Sequence, residues 1–135
     1  MSFSDITIVP VRTDRKAEYL AFSARIGEIY REYGALRVMD CWHTPEASDD
    51  ADFHAADAME GYAPGDLPDM RKLAGAGEGE TVVISITEWP SQEIRDRAVK
   101  QVVTDPRIQA TMDEEPVFDG RRLIAGGFAV ELDLK

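Results

Sequence analysis

The hydrophobic pattern of the chain switches between the two-residue period of strands and the 3.6-residue period of helices. Asp5–Val11 (DITIVPV) is rich in β-branched residues and predicts a first strand, with Pro10 suited to its end. Thr13 or Asp14 then caps a helix. Its apolar stripe, Tyr19, Phe22, Ile26, Ile29, Tyr30 and Tyr33, falls within about 100° of arc, and Gly34 terminates it. Ala35–His43 reads as a second strand, Glu80–Trp89 as a third and Arg121–Leu134 as a fourth. Ser91 caps a second helix carrying Ile94, Ala98 and Val102 at i, i+4 and i+8, and Asp105-Pro106 opens a short further turn. Asp119-Gly120 turns the chain into the last strand.

The strands carry apolar residues on both parities. In Thr81–Thr87 (TVVISIT) they do not keep to strict alternation, and in Leu123–Val130 they keep to it only weakly. In the second strand, Leu36 and Val38 fall on one parity, Met39 and Cys41 on the other. The element order is β-α-β, a long connection, then β-α-β. Two split units of this kind predict a ferredoxin-like, four-stranded antiparallel sheet of the α+β class, with both helices on one face. The other face is then apolar and uncovered, and a second copy of the chain is the economical cover. A homodimer is expected.

Composition narrows the partners. With 135 residues the chain is long enough for one domain with a real core. Twenty-six acidic against 15 basic residues give a net charge of −11, which argues against nucleic acid and against an anionic membrane surface. No apolar run approaches the ~20 residues of a membrane span, and Met1–Asp5 lacks the basic, then apolar start of a signal peptide. Cys41 is the single cysteine, so no internal disulfide forms. A cytoplasmic protein is expected. The charge is concentrated: residues 44–79 hold nine acidic and two basic residues, −7 of the total, in a stretch rich in Gly, Pro and Ala. This reads as an acidic inserted connection with short helical turns near Asp52–Met59 and Leu67–Leu73.

Four motifs carry a resemblance. Gly34–Trp42 (GALRVMDCW), Glu88–Asp96 (EWPSQEIRD), Asp105–Arg107 (DPR) and Phe118–Phe128 (FDGRRLIAGGF) together resemble the bacterial YbaA-like family over nearly the whole chain. The resemblance implies the dimeric α+β barrel, in which two ferredoxin-like sheets pack face to face. It implies no particular reaction, because such barrels include cofactor-free oxygenases, haem-degrading enzymes, muconolactone-type isomerases, dehydratases and domains without activity. Asp40 stands where the family pattern leads one to expect Glu, and about Glu60 to Leu73 looks additional.

Candidate chemistry clusters at strand ends. Arg12, Arg37, Glu88, Arg121 and Arg122 are expected to gather at one end of the sheet, Cys41, Trp42 and His43 at the other. Glu88 among arginines suits either an anionic small molecule or a structural ion-pair cluster. Asp40 and Trp42 share one strand face, Cys41 and His43 the opposite one. Cys41 and His43 would stand about 7 Å apart at their bases, loose for a nucleophile and its base. Trp42 reads as core, dimer contact or pocket wall, and His43 as a hydrogen-bonded strand end or an acid/base. Asp49, Asp50, Asp52, His54 and Asp57 lack a calcium-loop pattern, and no His/Cys spacing suggests zinc; no metal and no cofactor are expected. Gly126-Gly127 inside a strand marks a bulge or room for a ligand.

These residues lead to one expectation and one alternative. The first is a homodimer whose barrel encloses a cavity for a small organic metabolite, with cofactor-free oxygenase- or isomerase-type turnover. Glu88 or His43 would then serve as acid/base, and Arg37, Asp40, Trp42, Arg121 and Arg122 would contact the ligand. The alternative is a non-catalytic dimerisation module or ligand sensor whose barrel is filled by side chains.

Overall fold

The computed structural model describes residues 1–44, 61 and 69–135. Its elements are β1 (Phe3–Arg12), α1 (Lys16–Glu32), β2 (Arg37–Trp42), α2 (Met70–Ala74), β3 (Glu80–Trp89), α3 (Gln92–Val102), α4 (Pro106–Ala110) and β4 (Ile124–Ala129). The strands form one antiparallel sheet in the order β2-β3-β1-β4. This is the ferredoxin-like α+β arrangement that the element order predicts. The helical turn expected at Asp52–Met59 and the acidic cluster from Asp49 to Asp57 lie outside the described residues.

Local signals set most boundaries. Gly34 takes φ 118°, a conformation that favours glycine, and ends α1. Ser91 accepts the Ile94 N–H at 3.2 Å to start α3. Asp105 accepts the Arg107 N–H at 2.8 Å to start α4, with Pro106 at the first helical position. Its second oxygen accepts the Tyr33 hydroxyl at 2.8 Å, which ties the end of α1 to α4. The Arg107 guanidinium, then Tyr33, hold the Asp105 carboxyl well below the usual range.

Three boundaries differ from the sequence expectation. Pro10 lies inside β1, opposite Val82, not at its end. The β1–β4 pairing stops at Ile8, so beyond it β1 has an open side where a missing N–H costs least. Thr13 and Asp14 form a 3₁₀ turn before α1, and neither side chain caps the helix; Asp14 instead binds Arg12. The last strand is Ile124–Ala129, shorter than Arg121–Leu134, because Arg121 and Arg122 sit in a 3₁₀ turn. Past the strand, the Val130 N–H still bonds the Ser2 carbonyl.

The core forms two clusters under the helices. One holds Phe3, Ala35, Trp89 and Ala98, with Tyr30, Tyr33 and Ile94 against it. The other holds Val9, Val11, Tyr19 and Val83, with Trp42, Phe118 and Leu123 packed on it. On the opposite face, Pro10 and Val82 are buried at one end, where α2 packs on β1 and β3. Beyond them Ile6, Ile8, Met39, Ile84 and Ile86 are half-buried, and that part of the face carries no helix among the described residues.

Candidate functional site between sheet and helices

The helix-facing side of the sheet is apolar at both ends and polar between them. A sheet covered on one side should turn its apolar face to the helices. Here the strand registers align two rows across the helix-facing side. One row is Asp40, Ser85, Thr7 and Ala125, and the next is Val38, Thr87, Asp5 and Gly127. This polar band separates the two core clusters and forms the floor of a cavity of about 510 Å³. Its roof is the inner stripe of α1, Tyr19, Phe22, Ser23, Ile26, Gly27 and Tyr30, with Arg95 and Val99 from α3. The volume falls in the range of small-molecule sites. At the β4 edge Ala125 and Gly127 are exposed, so the cavity opens there. A side chain at position 127 would place its Cβ 2.5 Å from the Phe3 ring, so glycine keeps both that ring and the opening in place.

Each polar group on the floor has a defined partner. Ser85 Oγ donates to Asp40 Oδ1 at 2.5 Å. Tyr19 stands over the pair: burial pushes its phenol up, contact with Ser85 lowers it, and the Asp40 charge raises it. Asp5 is held by the buried Trp89, whose Nε1 donates at 3.0 Å, and by Arg95, whose Nε donates at 3.0 Å. Arg95 Nη2 lies 3.0 Å from the other Asp5 oxygen, and its Nη1 donates to Asp96 at 3.0 Å. Burial likewise pushes the Tyr30 phenol up, and Asp5 raises it further while Arg95 lowers it. Both tyrosines are therefore neutral donors near pH 7. Among the described residues, no group of three or more His, Cys, Asp or Glu is placed to hold a metal ion.

The family model for the protein of unknown function DUF1428 matches residues 2–120. Uncharacterized protein YbaA of Escherichia coli K12 is 36% identical over 133 residues, covering 98% of this chain and 99% of that protein. The chain belongs to the DUF1428 family. The same protein in Shigella flexneri matches equally. Among solved structures, SnoaB from Streptomyces nogalater (mutant N63A), a cofactor-independent oxygenase, aligns over 98% of this chain and 96% of that one, with a TM-score of 0.57 and 11% identity. Rv0793 from Mycobacterium tuberculosis aligns over 100% of both chains, with a TM-score of 0.50 and 12% identity. This DUF1428 chain thus has the fold of the dimeric α+β barrel proteins.

Within this DUF1428 fold the residues singled out from sequence are dispersed. Asp40 lines the cavity. Trp42 shares its strand face but packs beside the cavity, its ring 6.2 Å from Tyr19 with the Lys16 ammonium 5.1 Å above it. Glu88 and Arg37 meet at 3.9 Å on the face without helices. Arg122 clasps Glu80 with bonds of 2.8 and 2.9 Å, and Arg121 pairs with Asp119. The expected gathering of Arg12, Arg37, Glu88, Arg121 and Arg122 does not occur. β1 and β3 run antiparallel, so Arg12 pairs with Glu80 and Ser4 with Glu88, which sets the two groups about 27 Å apart along the strands. Cys41 is exposed and His43 lies on the same helix-free face, its Nδ1 buried with no hydrogen-bond partner among the described residues. Sequence reasoning placed the ligand space between two sheets, whereas the cavity seen here lies beneath the helices. It missed Asp5, Thr7, Ser85, Thr87, Tyr19 and Arg95. Aligning β1 and β3 by parity in the ferredoxin-like order would have brought the four strand residues onto the face of Asp40.

Proposed function

We propose that the chain is a single-domain cytoplasmic homodimer that binds a small organic molecule in the cavity between its sheet and helices. The polar band across the helix-facing side of the sheet carries this reading. Polar side chains under helices are costly unless they have work or partners there, while Ile6, Ile8, Met39, Ile84 and Ile86 on the other face call for a cover. Ile124 and Phe128, 42% and 53% exposed, extend that apolar surface along β4. A second copy packed on this face would bury it and give the two-sheet barrel of the fold. The net charge of −11 supports a partner other than nucleic acid or an anionic membrane, and no helix among the described residues is long and apolar enough to cross a membrane.

A second reading adds turnover. The Ser85–Asp40 contact supplies a carboxylate that accepts protons, and the fold is shared with a protein described as a cofactor-independent oxygenase. Base-assisted oxygenase or isomerase chemistry would then use Asp40 in place of Glu88 or His43.

Native mass spectrometry of freshly purified protein tests the binding reading. A dimer carrying an additional small mass is expected, and Ser23→Phe, which fills the cavity from α1, should lose that mass while keeping the dimer. A bare dimer whose stability no organic probe alters would refute it. Conversion of the released molecule on re-addition to ligand-free protein, lost in Asp40→Asn, would establish turnover.

A further inference from the structure

We infer that the molecule taken into this cavity carries a protonated amine, seated on Asp40 against the aromatic roof. This rests on the cavity being the binding site. Among the described residues, three charged ones line the cavity, Asp5, Arg95 and Asp40. Asp5 and Arg95 neutralise one another, and all three Arg95 nitrogens are engaged, two by Asp5 and one by Asp96. The cavity therefore has no guanidinium edge free for a carboxylate or phosphate.

Asp40 is the uncompensated charge. It receives one hydroxyl, from Ser85, and pairs with no cation among the described residues. Arg31 and Arg37 share a neighbouring groove with Asp40, and each has another acidic partner. Arg31 binds Glu28 at 3.1 Å, Arg37 faces Glu88, and Lys16 sits over Trp42. With both tyrosines neutral, the lining carries a net charge of one negative unit. The rings of Tyr19, Phe22 and Tyr30 complete the roof, and aromatic faces attract ammonium groups. A carboxylate short of a counter-ion among the described residues, close to Tyr19 in a cavity lined by further rings, matches an organic cation with an apolar body. The protein's overall negative field also favours the approach of such a ligand.

Tryptamine, tryptophol and indole-3-propionate test this, because they share a ring and differ in the charge of the tail. Isothermal titration of the wild-type protein should give tryptamine an affinity roughly tenfold or more above tryptophol, with indole-3-propionate weakest. Asp40→Asn should remove most of the tryptamine advantage and leave tryptophol within about twofold, while Asp40→Glu should keep a preference for the amine. The wild-type ratio decides the matter even where a variant fails to fold. If the alcohol or the acid binds as tightly as the amine, and Ser23→Phe abolishes all three, the amine assignment falls and the cavity stands. If none binds, and no organic probe shifts the stability of the wild type or of Ser23→Phe differently, both readings fall together.

Discussion

Replacing Glu80 with Gln removes the charge from the clasp that joins the start of β3 to the turn before β4. Glu80 accepts two bonds from Arg122, at 2.8 and 2.9 Å, and one from the Gly77 N–H at 2.9 Å. Arg122 also donates to the Gly75 carbonyl at 2.6 Å. The Arg122 guanidinium, with help from the Gly77 N–H, lowers the Glu80 carboxyl from 4.5 to about 2. At about 1.4 kcal/mol for each pH unit this sets an upper limit of about 3 kcal/mol. The Glu80 side chain is 18% exposed but that of Arg122 is 34% exposed, so solvent screening reduces the figure to about 1–2 kcal/mol. The folded carboxyl is the stronger acid, so its stabilisation is complete above about pH 5 and is lost as the pH falls from about 4.5 toward 2. Urea unfolding at fixed protein concentration should therefore show Glu80→Gln less stable by about 1–2 kcal/mol at pH 7, or about 3–8 °C in Tm. The gap should close by pH 3 to less than half. Equal stability at pH 7, or a gap that persists unchanged at pH 3, would refute the clasp. Because Phe118 and Leu123 flank this turn and line the cavity, the same substitution should also weaken binding of a cavity ligand.

Two further substitutions probe the two faces of the sheet separately. Ile86→Arg puts a charge in the middle of the helix-free face, and sedimentation velocity at micromolar concentration should show a dimer for the wild type and monomer for the variant; a monomeric wild type would sink the dimer. Trp89→Phe keeps the ring in its buried site but deletes the donor to Asp5, which should cost about 1–2 kcal/mol in urea unfolding; an unchanged midpoint would mean that Arg95 alone satisfies Asp5.

The order of elements was legible because each boundary has a local chemical cause. Gly34 at positive φ, Ser91 on the Ile94 N–H and Asp105 ahead of Pro106 act within a few residues, and the structure keeps all three. Pro10 and the last strand were misread because their outcome depends on a neighbouring strand: Pro10 lies beyond Ile8, the partner of the first residue of β4, and the last residue of β4, Ala129, pairs with Phe3, the first residue of β1. The charged strand ends were misassigned for the same reason, since antiparallel pairing of β1 and β3 is a relation between segments some 70 residues apart.

The candidate site was hidden for a different reason. Apolar residues on both parities of β3 do sit on both faces, Val82, Ile84 and Ile86 on one and the buried Val83 and Trp89 on the other, but Ser85 and Thr87 lie between those last two and align with Asp5, Thr7 and Asp40. Serine and threonine in a β-branched run carry little signal alone, because both suit a strand. Only their alignment across three strands makes a polar band, and only the helices above it make that band costly. Its members are unequally compensated. Among the described residues, Asp5 has an arginine and a tryptophan, Asp40 a single hydroxyl. A fold that merely tolerated polar residues there would be expected to neutralise both carboxylates, as it does Asp5, Glu80 and Asp105. Asp40 has no cation among the described residues, and a bound ammonium group would give it the partner that Asp5 finds in Arg95.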